Sequence, residues 1–167
     1  METKGKYNVN FFEFIENIDE FKKKKFIQTM ITYYKDVKNK NKTKYNAKNV
    51  LNFCAGWGGS SVASAALNLE SHYGIDINVD LKYPYEKLNA FLSTKSNTIL
   101  KTYIGDAVTF DYSTIEYDTV FTSPPYYFIE KYPNNNEYKS KQDMNDKFYQ
   151  PLFENTYKGL SLGGYYI

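Results

Sequence analysis

Large apolar residues recur every three or four positions over residues 10–37, which is helical spacing. The lysine run at residues 22–25 interrupts this stripe, so we expect two helices or a kink there. Such a run is more often a solvated face than a phosphate-binding site. A polar linker follows over residues 38–49. We therefore predict an N-terminal helical segment and linker at residues 1–47.

From residue 48 onward, short apolar runs alternate with amphipathic stretches. The stretches between the runs predict helices at residues 60–69 and near residues 85–92. The apolar runs predict strands at residues 50–54, 73–77, 99–104 and 118–122.

The last part of the chain predicts one more helix and one more strand. Residues 130–139 read as a polar, asparagine-rich loop. Ser140, followed by Asp143, is a helix cap candidate, and the helix should run towards Leu160. Pro151 is expected to bend that helix or restart it. The pair Gly163-Gly164 then predicts a turn, with a fifth strand beginning at residues 165–167.

This order of elements predicts the fold class. Strands and helices in alternation imply right-handed crossovers and a parallel sheet with helices on both faces. We therefore expect an α/β, Rossmann-like, doubly wound domain over residues 48–167. Because the fifth strand comes at the end of the chain, the sheet should have an open edge. A second subunit or a further C-terminal region would complete it.

Composition and charge limit the classes of function. The net charge of +2 gives no global basic field, although one basic face could still exist. One cysteine and one histidine argue against an internal disulfide, a cysteine metal cluster and a histidine zinc site. No apolar run approaches the length of a membrane span, and the polar start is not a signal peptide. These features predict a soluble, cytoplasmic protein without a membrane partner.

The stretch LNFCAGWGGS, residues 51–60, is the first candidate for chemistry. A predicted buried strand runs into Gly56, Gly58 and Gly59, and a helix follows. Glycine permits positive φ and close approach of a ligand to the backbone. The free N–H groups at the helix start suit a carboxylate or a phosphate. A tight turn without a ligand is the plainer alternative.

Two aspartates follow the next two predicted strands. Asp76 lies at the end of the strand in YGIDI, where an acid in nucleotide-binding units accepts hydrogen bonds from ribose hydroxyls. Asp106, in IGDA, could accept a hydrogen bond from an adenine amino group. An ordinary strand-end acid and an ordinary turn are the alternatives. His72, just before YGIDI, is expected at the surface or at the strand start.

The sequence Ser123-Pro124-Pro125-Tyr126 comes directly after the fourth predicted strand. The residue before a proline is held extended, and the two prolines fix φ and remove two N–H donors. The result is a rigid edge of acceptors, made by the Ser123 hydroxyl and a nearby carbonyl. Acceptors on both hydrogens of an exocyclic amino group favour a pyramidal, nucleophilic nitrogen. Tyr126 offers a face for a flipped base, with Tyr127 or Phe128 as alternatives.

Together these motifs resemble the amino-group DNA methyltransferases, over roughly residues 48–167. LNFCAGWGGS, the acid in YGIDI, IGDA and FTSPPYY look like that family's first four motifs. The resemblance implies the class I methyltransferase fold and S-adenosylmethionine as cofactor. Two departures stand out. Asn52 occupies the position where the family usually has an acid, and the family sheet has seven strands whereas this chain stops at the fifth.

The resemblance also implies roles for residues. Gly56 and Gly58 would line the methionine portion of the cofactor, Asp76 would hold its ribose and Asp106 would contact its adenine. The cofactor loop would further include Asn52, Cys54 and Ala55. Cys54 is itself expected to be a small packing residue. The catalytic set that would hold the target base is Ser123, Pro124, Pro125 and Tyr126.

The resulting hypothesis is methyl transfer to the exocyclic amino group of a DNA base. Serine at the head of the fourth motif resembles the cytosine enzymes more than the adenine enzymes. An adenine methyltransferase acting on DNA or RNA is the first alternative. A non-catalytic, cofactor-binding subunit of a methyltransferase complex is the second, and Asn52 and the short sheet favour it.

Overall fold

The computed structural model describes residues 47–127, 132 and 137–167. The helical segment expected within residues 10–37 and most of the linker lie outside the described residues, as does most of the asparagine-rich loop. The expected division into two regions therefore stays a prediction.

Five parallel strands form the sheet, in the order β3-β2-β1-β4-β5. The strand that begins the domain, β1, lies at the centre, paired with β2 on one side and β4 on the other. This confirms the expected parallel, Rossmann-like sheet. The strands are β1 Asn49–Asn52, β2 Ser71–Asp76, β3 Ile99–Ile104, β4 Tyr117–Val120 and β5 Leu160–Tyr166.

α-Helices connect β1 to β2, β2 to β3 and β4 to β5, whereas β3 and β4 are joined by a loop with one 3₁₀ turn. The first two are α1, Gly59–Ala66, and α2, Lys82–Ser93, which follows a 3₁₀ turn at Val79–Leu81. A second 3₁₀ turn, Tyr112–Thr114, precedes β4. Between β4 and β5 lie α3 Lys141–Met144, a π-helical turn Asn145–Tyr149 and α4 Gln150–Gly159.

The helix between β4 and β5 starts where the sequence predicts. The Ser140 side chain accepts a hydrogen bond from the backbone N–H of Asp143, at 3.1 Å, and so caps α3. Pro151 does not restart the helix, because the backbone is helical without a break from Lys141 to Gly159. The π-helical turn lies directly before Pro151, so the change of helix type accompanies the proline, which cannot donate an α-helical hydrogen bond.

Apolar side chains fill both sides of the sheet. Buried residues of α1 and α2 form one cluster, with Ala65, Leu88 and Leu92 at its centre. Met144, Phe148 and Leu152, from the helix before β5, belong to a separate and larger cluster. The strand order reverses direction between β1 and β4, and right-handed crossovers then place the last helix on the opposite face. The doubly wound arrangement is thus present.

Gly163 and Gly164 do not precede the fifth strand as a turn; they lie inside it. β5 begins at Leu160, and its register against β4 shifts between Tyr117 and Thr119. Gly163 has φ +76°, and a Cβ at Gly164 would lie 2.6 Å from the Asp118 carbonyl oxygen. The glycine pair is therefore a bulge that lets β5 approach β4 closely.

Of the two positions expected for His72, the strand start is confirmed and the surface is wrong. His72 is the second residue of β2 and is completely buried, with its Nδ1 3.3 Å from the Ser61 hydroxyl. Because β2 is an inner strand of a parallel sheet, even its polar side chains can be buried. Burial lowers the pKa of His72 to about 4, so the ring is neutral. Within the part of the chain that is described, no helix is long and apolar enough to cross a membrane.

Candidate active site

The motifs singled out in the sequence meet at one edge of the sheet, where the carboxyl ends of the strands lie. The backbone N–H of Phe121, after β4, donates to the Leu51 carbonyl of β1 at 2.9 Å. The Gly105 N–H, after β3, donates to the Asp76 carbonyl of β2, also at 2.9 Å. The reversal of strand order lies between β1 and β4. Doubly wound sheets bind ligands in the crevice at that point.

Gly56 and Gly58 have different tasks in the loop after β1. Gly58 has φ +79°, and a Cβ there would lie 2.5 Å from the Leu88 Cδ2 atom, so this glycine lets α1 pack against α2. Gly56 has φ +57°, and a Cβ there would meet only the Cys54 carbonyl oxygen, at 4.0 Å. Of the two, Gly56 therefore offers the open backbone that a ligand could approach.

Asn52, at the end of β1, joins three parts of the site. Its Oδ1 accepts hydrogen bonds from the Cys54 backbone N–H at 3.1 Å and from the Thr122 hydroxyl at 2.9 Å. Its Nδ2 donates to the Ser60 hydroxyl at 2.9 Å. The amide thus fixes the glycine loop, the start of α1 and the segment after β4 relative to one another. Here an asparagine supplies both an acceptor and a donor, which an ionised acid could not do.

Cys54 and Ala55 pack the loop onto the strands beneath it. The Ala55 N–H donates to the Ile75 carbonyl at 2.9 Å, and a Cβ at Gly74 would lie only 3.1 Å from the Ala55 Cβ. Burial, and the nearby negative charge of Asp76, raise the pKa of the Cys54 thiol to about 12. Cys54 is therefore a neutral thiol that packs in the site, as expected, rather than a nucleophile.

Asp76 ties the glycine loop to the end of β2. Its Oδ2 accepts from the Gly56 N–H at 2.8 Å, and its Oδ1 accepts from the Asn78 N–H at 2.9 Å. Burial raises the pKa of this carboxyl above its ordinary value, and the two N–H groups lower it in part. The Tyr85 hydroxyl of α2 donates to the Gly56 carbonyl and so holds the other side of the same residue. A desolvated carboxylate in such a loop is typical of a functional site.

Asp106 lies half-buried after β3, at the same edge of the sheet as Asp76. Its Oδ1 accepts from the Val108 N–H at 2.8 Å, and its backbone carbonyl accepts from the Thr109 N–H at 3.2 Å. Both bonds belong to a local turn. Asp106 therefore lies in an ordinary turn, which was one of the alternatives considered from the sequence. Its second carboxylate oxygen, Oδ2, takes no part in that turn.

The segment after β4 presents its serine and first tyrosine to solvent. Ser123 is exposed, and the Tyr126 ring is 59% exposed. The Pro125 carbonyl accepts a hydrogen bond from the Tyr149 hydroxyl. Among the described residues, neither the Ser123 hydroxyl nor the Pro124 carbonyl has a hydrogen-bond partner within the protein. These two groups are therefore available, and the acceptor edge expected from the sequence stays a prediction.

Tyr127 turns inward and leaves Tyr126 as the exposed ring of the described segment. The Tyr127 hydroxyl donates to Asn145 Oδ1 at 2.6 Å, and its ring makes an edge contact with the Tyr149 ring, at 5.3 Å between centroids. The Lys141 ammonium lies 5.4 Å from the centroid of the Tyr127 ring. Of the three aromatic residues raised from the sequence, Tyr126 is exposed, Tyr127 is packed against Tyr149, and Phe128 lies outside the described residues.

Sequence reasoning missed four residues that hold the site together: Thr122, Tyr85, Asn145 and Tyr149. Each acts through a hydrogen bond to a residue far away in the chain, and no local motif marks such a partner. Only the adjacency of β1 and β4 and the packing of the helices could have indicated them. No group of three or more metal-ligating side chains occurs among residues 47–127, 132 and 137–167.

The backbone resembles that of solved structures. The glycopeptide N-methyltransferase MtfA matches with a TM-score of 0.52 and 15% sequence identity, over 81% of this chain and 51% of that one. The N-terminal domain of EvdMO1, solved with SAH bound, matches with a TM-score of 0.43 and 20% identity, over 55% of this chain and 36% of its own. This chain thus spans about half the length of MtfA.

No protein-family model and no curated protein sequence matches the chain. At these levels of identity, the likeness to MtfA is evidence for the fold alone. Three observations indicate the same fold: the strand order, the glycine loop after the central strand, and the likeness to MtfA. The chain therefore has the Rossmann-like fold of the class I methyltransferases.

Proposed function

We propose that the chain is an S-adenosylmethionine-dependent methyltransferase that acts on the exocyclic amino group of a DNA base, with cytosine as the target. The observation that carries this proposal is the exposed Ser123-Pro124 edge directly beside the loop of Gly56 and Asp76. Asn52 links the two through its bonds to Thr122 and Cys54. A site for the cofactor and a site for an amino group would thus share one crevice.

The described residues fit S-adenosylmethionine. Gly56 has no side chain to block a ligand, although Asp76 and Tyr85 occupy its N–H and carbonyl. α1 begins at Gly59, and its N-cap Gly58 provides no side-chain cap, so the first N–H groups can receive a carboxylate. The Asp76 carboxylate uses one lone pair on each oxygen for the loop and retains others for ribose hydroxyls. Asp106 would meet the adenine. When bound, the cofactor supplies an electrophilic methyl group on a sulfonium.

Ser123 and Pro124 would accept the two hydrogens of the target amino group. Ser123 offers its hydroxyl oxygen, and Pro124 offers a backbone carbonyl that no described residue uses. With both hydrogens held, the nitrogen lone pair withdraws from the aromatic ring and points away from the loop. This interaction is strongest as the nitrogen becomes pyramidal, so it stabilises the transition state more than the ground state.

Tyr126 would stack on the target base. A target base must swing out of the DNA double helix to reach this crevice, and flipping it out costs a few kcal/mol. Stacking on an aromatic side chain returns roughly 1–3 kcal/mol per base. The 59% exposed Tyr126 ring follows the acceptor edge directly and can provide this surface.

Two rival functions are separable from this one. Adenine methylation in DNA or RNA would use the same acceptor edge, and the modified nucleoside identifies it. A non-catalytic cofactor-binding subunit would bind S-adenosylmethionine without transferring its methyl group. Asn52 favours this second rival, because it lacks the charge that the resembled family has there. The solvent-exposed Ser123-Pro124 edge favours the enzyme.

The test is single-turnover methyl transfer to DNA, alongside cofactor titration, for Ser123→Ala and Tyr126→Ala. Trp57 is the only tryptophan, lies in the glycine loop and is 57% exposed, so its fluorescence can report cofactor binding. Ser123→Ala should lower the transfer rate more than DNA affinity. Tyr126→Ala should weaken productive base binding roughly ten- to a hundredfold, with cofactor affinity unchanged.

Tyr157→Ala is the matched control, because this tyrosine is 71% exposed on α4, away from the acceptor edge. Wild-type rates in both site variants would refute the assignment of the acceptor edge. Loss of cofactor binding in both would show that the loop has a structural role instead.

A further inference from the structure

The π-helical turn Asn145–Tyr149 contacts the segment after β4, residues 121–127, through two hydrogen bonds. The Tyr149 hydroxyl donates a hydrogen bond to the Pro125 carbonyl, and Asn145 Oδ1 accepts one from the Tyr127 hydroxyl at 2.6 Å. The two residues bound in this way, Pro125 and Tyr127, lie on either side of Tyr126. The turn thus fixes the end of the segment while Asn52 fixes its start through Thr122.

The ring of Tyr149 is fixed by packing against two aromatic side chains. Its ring stacks on Phe153 with 5.7 Å between centroids and makes an edge contact with Phe148 at 5.1 Å. Phe148 is buried in the main core cluster. The Tyr149 hydroxyl therefore has a fixed place relative to the core, and the Pro125 carbonyl is fixed with it.

The bond to Pro125 limits which carbonyls remain for a substrate. The two prolines carry no N–H, so each offers only its carbonyl, next to the hydroxyl and backbone groups of Ser123. Tyr149 occupies the Pro125 carbonyl. This bond opposes rotation of the Pro124–Pro125 unit and leaves the Pro124 carbonyl available.

Asn145 and Tyr149, which hold the segment after β4, are the first and last residues of the π-helical turn. A π turn holds one residue more than an α turn, and such turns occur frequently at functional sites. Here Met144, Phe148 and Leu152 all remain buried in the core cluster. At the same time Asn145 and Tyr149 both reach the segment after β4.

We infer that Tyr149 and Asn145 are positioning residues, which orient the Ser123-Pro124 edge without touching the base. The expected effect on the rate of methyl transfer rests on the proposed function. The expected effect on the order of the segment rests on the hydrogen bonds alone. A positioning role predicts a loss of turnover with little loss of binding, because misorientation of an acceptor edge affects the transition state first.

The experiment uses the full chain and the variant Tyr149→Phe, which removes the hydroxyl and retains the ring. We expect kcat for methyl transfer to fall about tenfold, whereas KM for DNA and Kd for S-adenosylmethionine change less than about twofold. Backbone order parameters from NMR relaxation at Ser123, Tyr126 and Tyr127 should fall, because the segment loses one of its two fixed points. Tyr157→Phe, which removes an exposed hydroxyl from α4, is the matched control and should behave as wild type.

A second pair of variants tests the other contact. Asn145→Asp keeps the oxygen that accepts from Tyr127 and should retain activity near the wild-type rate. Asn145→Leu has a similar size without the acceptor and should reproduce the kcat loss of Tyr149→Phe. Rescue by the residue that conserves the acceptor separates a positioning role from general destabilisation.

The outcomes distinguish this inference from the proposed function. Wild-type kcat and wild-type order parameters in Tyr149→Phe would overturn the inference and leave the proposed function standing. An equal loss of kcat and cofactor affinity would also overturn it. If the wild-type chain transfers no methyl group but Tyr149→Phe still lowers the order parameters of the segment, the positioning role holds and the proposed function fails. Unchanged order parameters in an inactive chain would contradict both.

Discussion

At the scale of the residue, the Asp76 carboxylate has two roles that one substitution can separate. It accepts the Gly56 and Asn78 N–H groups and, by our proposal, the ribose hydroxyls. In Asp76→Asn the amide –NH₂ replaces one acceptor oxygen with a donor. It would therefore lose the hydrogen bond to one of those N–H groups or to a ribose hydroxyl. We expect S-adenosylmethionine affinity to fall at least about tenfold in calorimetry, since a charged acceptor contributes roughly 1.5–3 kcal/mol.

Asp111→Asn is the control for this prediction. Asp111 is an exposed aspartate that accepts from the Ser113 N–H at 3.1 Å, so it has a similar local turn outside the proposed site. Its replacement should leave cofactor affinity unchanged. Equal affinity in wild type and Asp76→Asn would remove Asp76 from the ribose role.

The buried His72 predicts how stability depends on pH. Its pKa of about 4 lies below the ordinary value of 6.5, so the unfolded chain takes up a proton first. Its contribution to stability is therefore complete above pH 6.5 and is lost as pH falls towards 4. Between pH 7 and pH 5 the loss should be about 2 kcal/mol. Urea unfolding at several pH values measures it.

His72→Gln gives the reference, because His72 is the only histidine of the chain. The variant should be less dependent on pH over this range, and the difference between the two curves isolates the imidazole. If both proteins lose stability in parallel from pH 7 to pH 5, the carboxylates cause the effect and this account of His72 is wrong.

Single residues were predictable where a motif marks them. Asp76 ends its strand, as the sequence indicates. For His72 the strand start was correct and the surface was wrong, because polarity alone suggests exposure whereas the side chain is completely buried. Asn145 and Tyr149 were missed because their partners lie elsewhere in the chain.

At the scale of the element, Gly58 determines how closely α1 approaches α2. A Cβ there would lie 2.5 Å from Leu88 Cδ2, and its φ of +79° disfavours any other residue. Gly58→Ala should cost about 2–4 kcal/mol of unfolding free energy, from left-handed strain and overpacking together. Chemical denaturation followed by circular dichroism measures this cost.

Gly105→Ala is the matched control, because a Cβ there would meet nothing within 4 Å. Its stability should change by less than about 0.5 kcal/mol. A Gly58→Ala protein as stable as the Gly105→Ala protein would show that α1 can move away from α2 without cost.

Elements were predictable to the extent that hydrophobic periodicity marks them. β3 occupies residues 99–104 as predicted, whereas β4 ends two residues earlier than expected and β5 begins five residues earlier. The glycine pair suggested a turn because a bulge uses the same residue type. The π-helical turn left no periodic signal, since one extra residue in a helix is too short a change to detect.

At the scale of the whole molecule, the strand order creates the crevice. Gly56 and Ser123 are far apart in sequence, and the pairing of β1 with β4 brings their loops together. The alternation of strands and helices predicts a parallel sheet, and the doubly wound fold implies a crevice. The sequence indicated the target base only through the serine of its fourth motif. It could not indicate the recognition sequence, because a net charge of +2 with lysine as the only strong cation marks no DNA-contacting surface.

The expected completion of the sheet also stays a prediction. Within the described residues β5 pairs with β4 alone, and Leu162 is exposed on it. An exposed strand edge is a template for pairing with another chain or segment.

The most direct test of the central claim is nucleoside mass spectrometry of DNA incubated with the full chain and S-adenosylmethionine carrying a deuterated methyl group. The account predicts labelled N4-methyl-2′-deoxycytidine in the wild-type reaction. With Ser123→Ala the amount of this nucleoside should be strongly reduced. Label on the adenine amino group would correct the target and retain the mechanism. DNA without any labelled base, despite cofactor binding reported by Trp57 fluorescence, would contradict the claim that this chain methylates DNA.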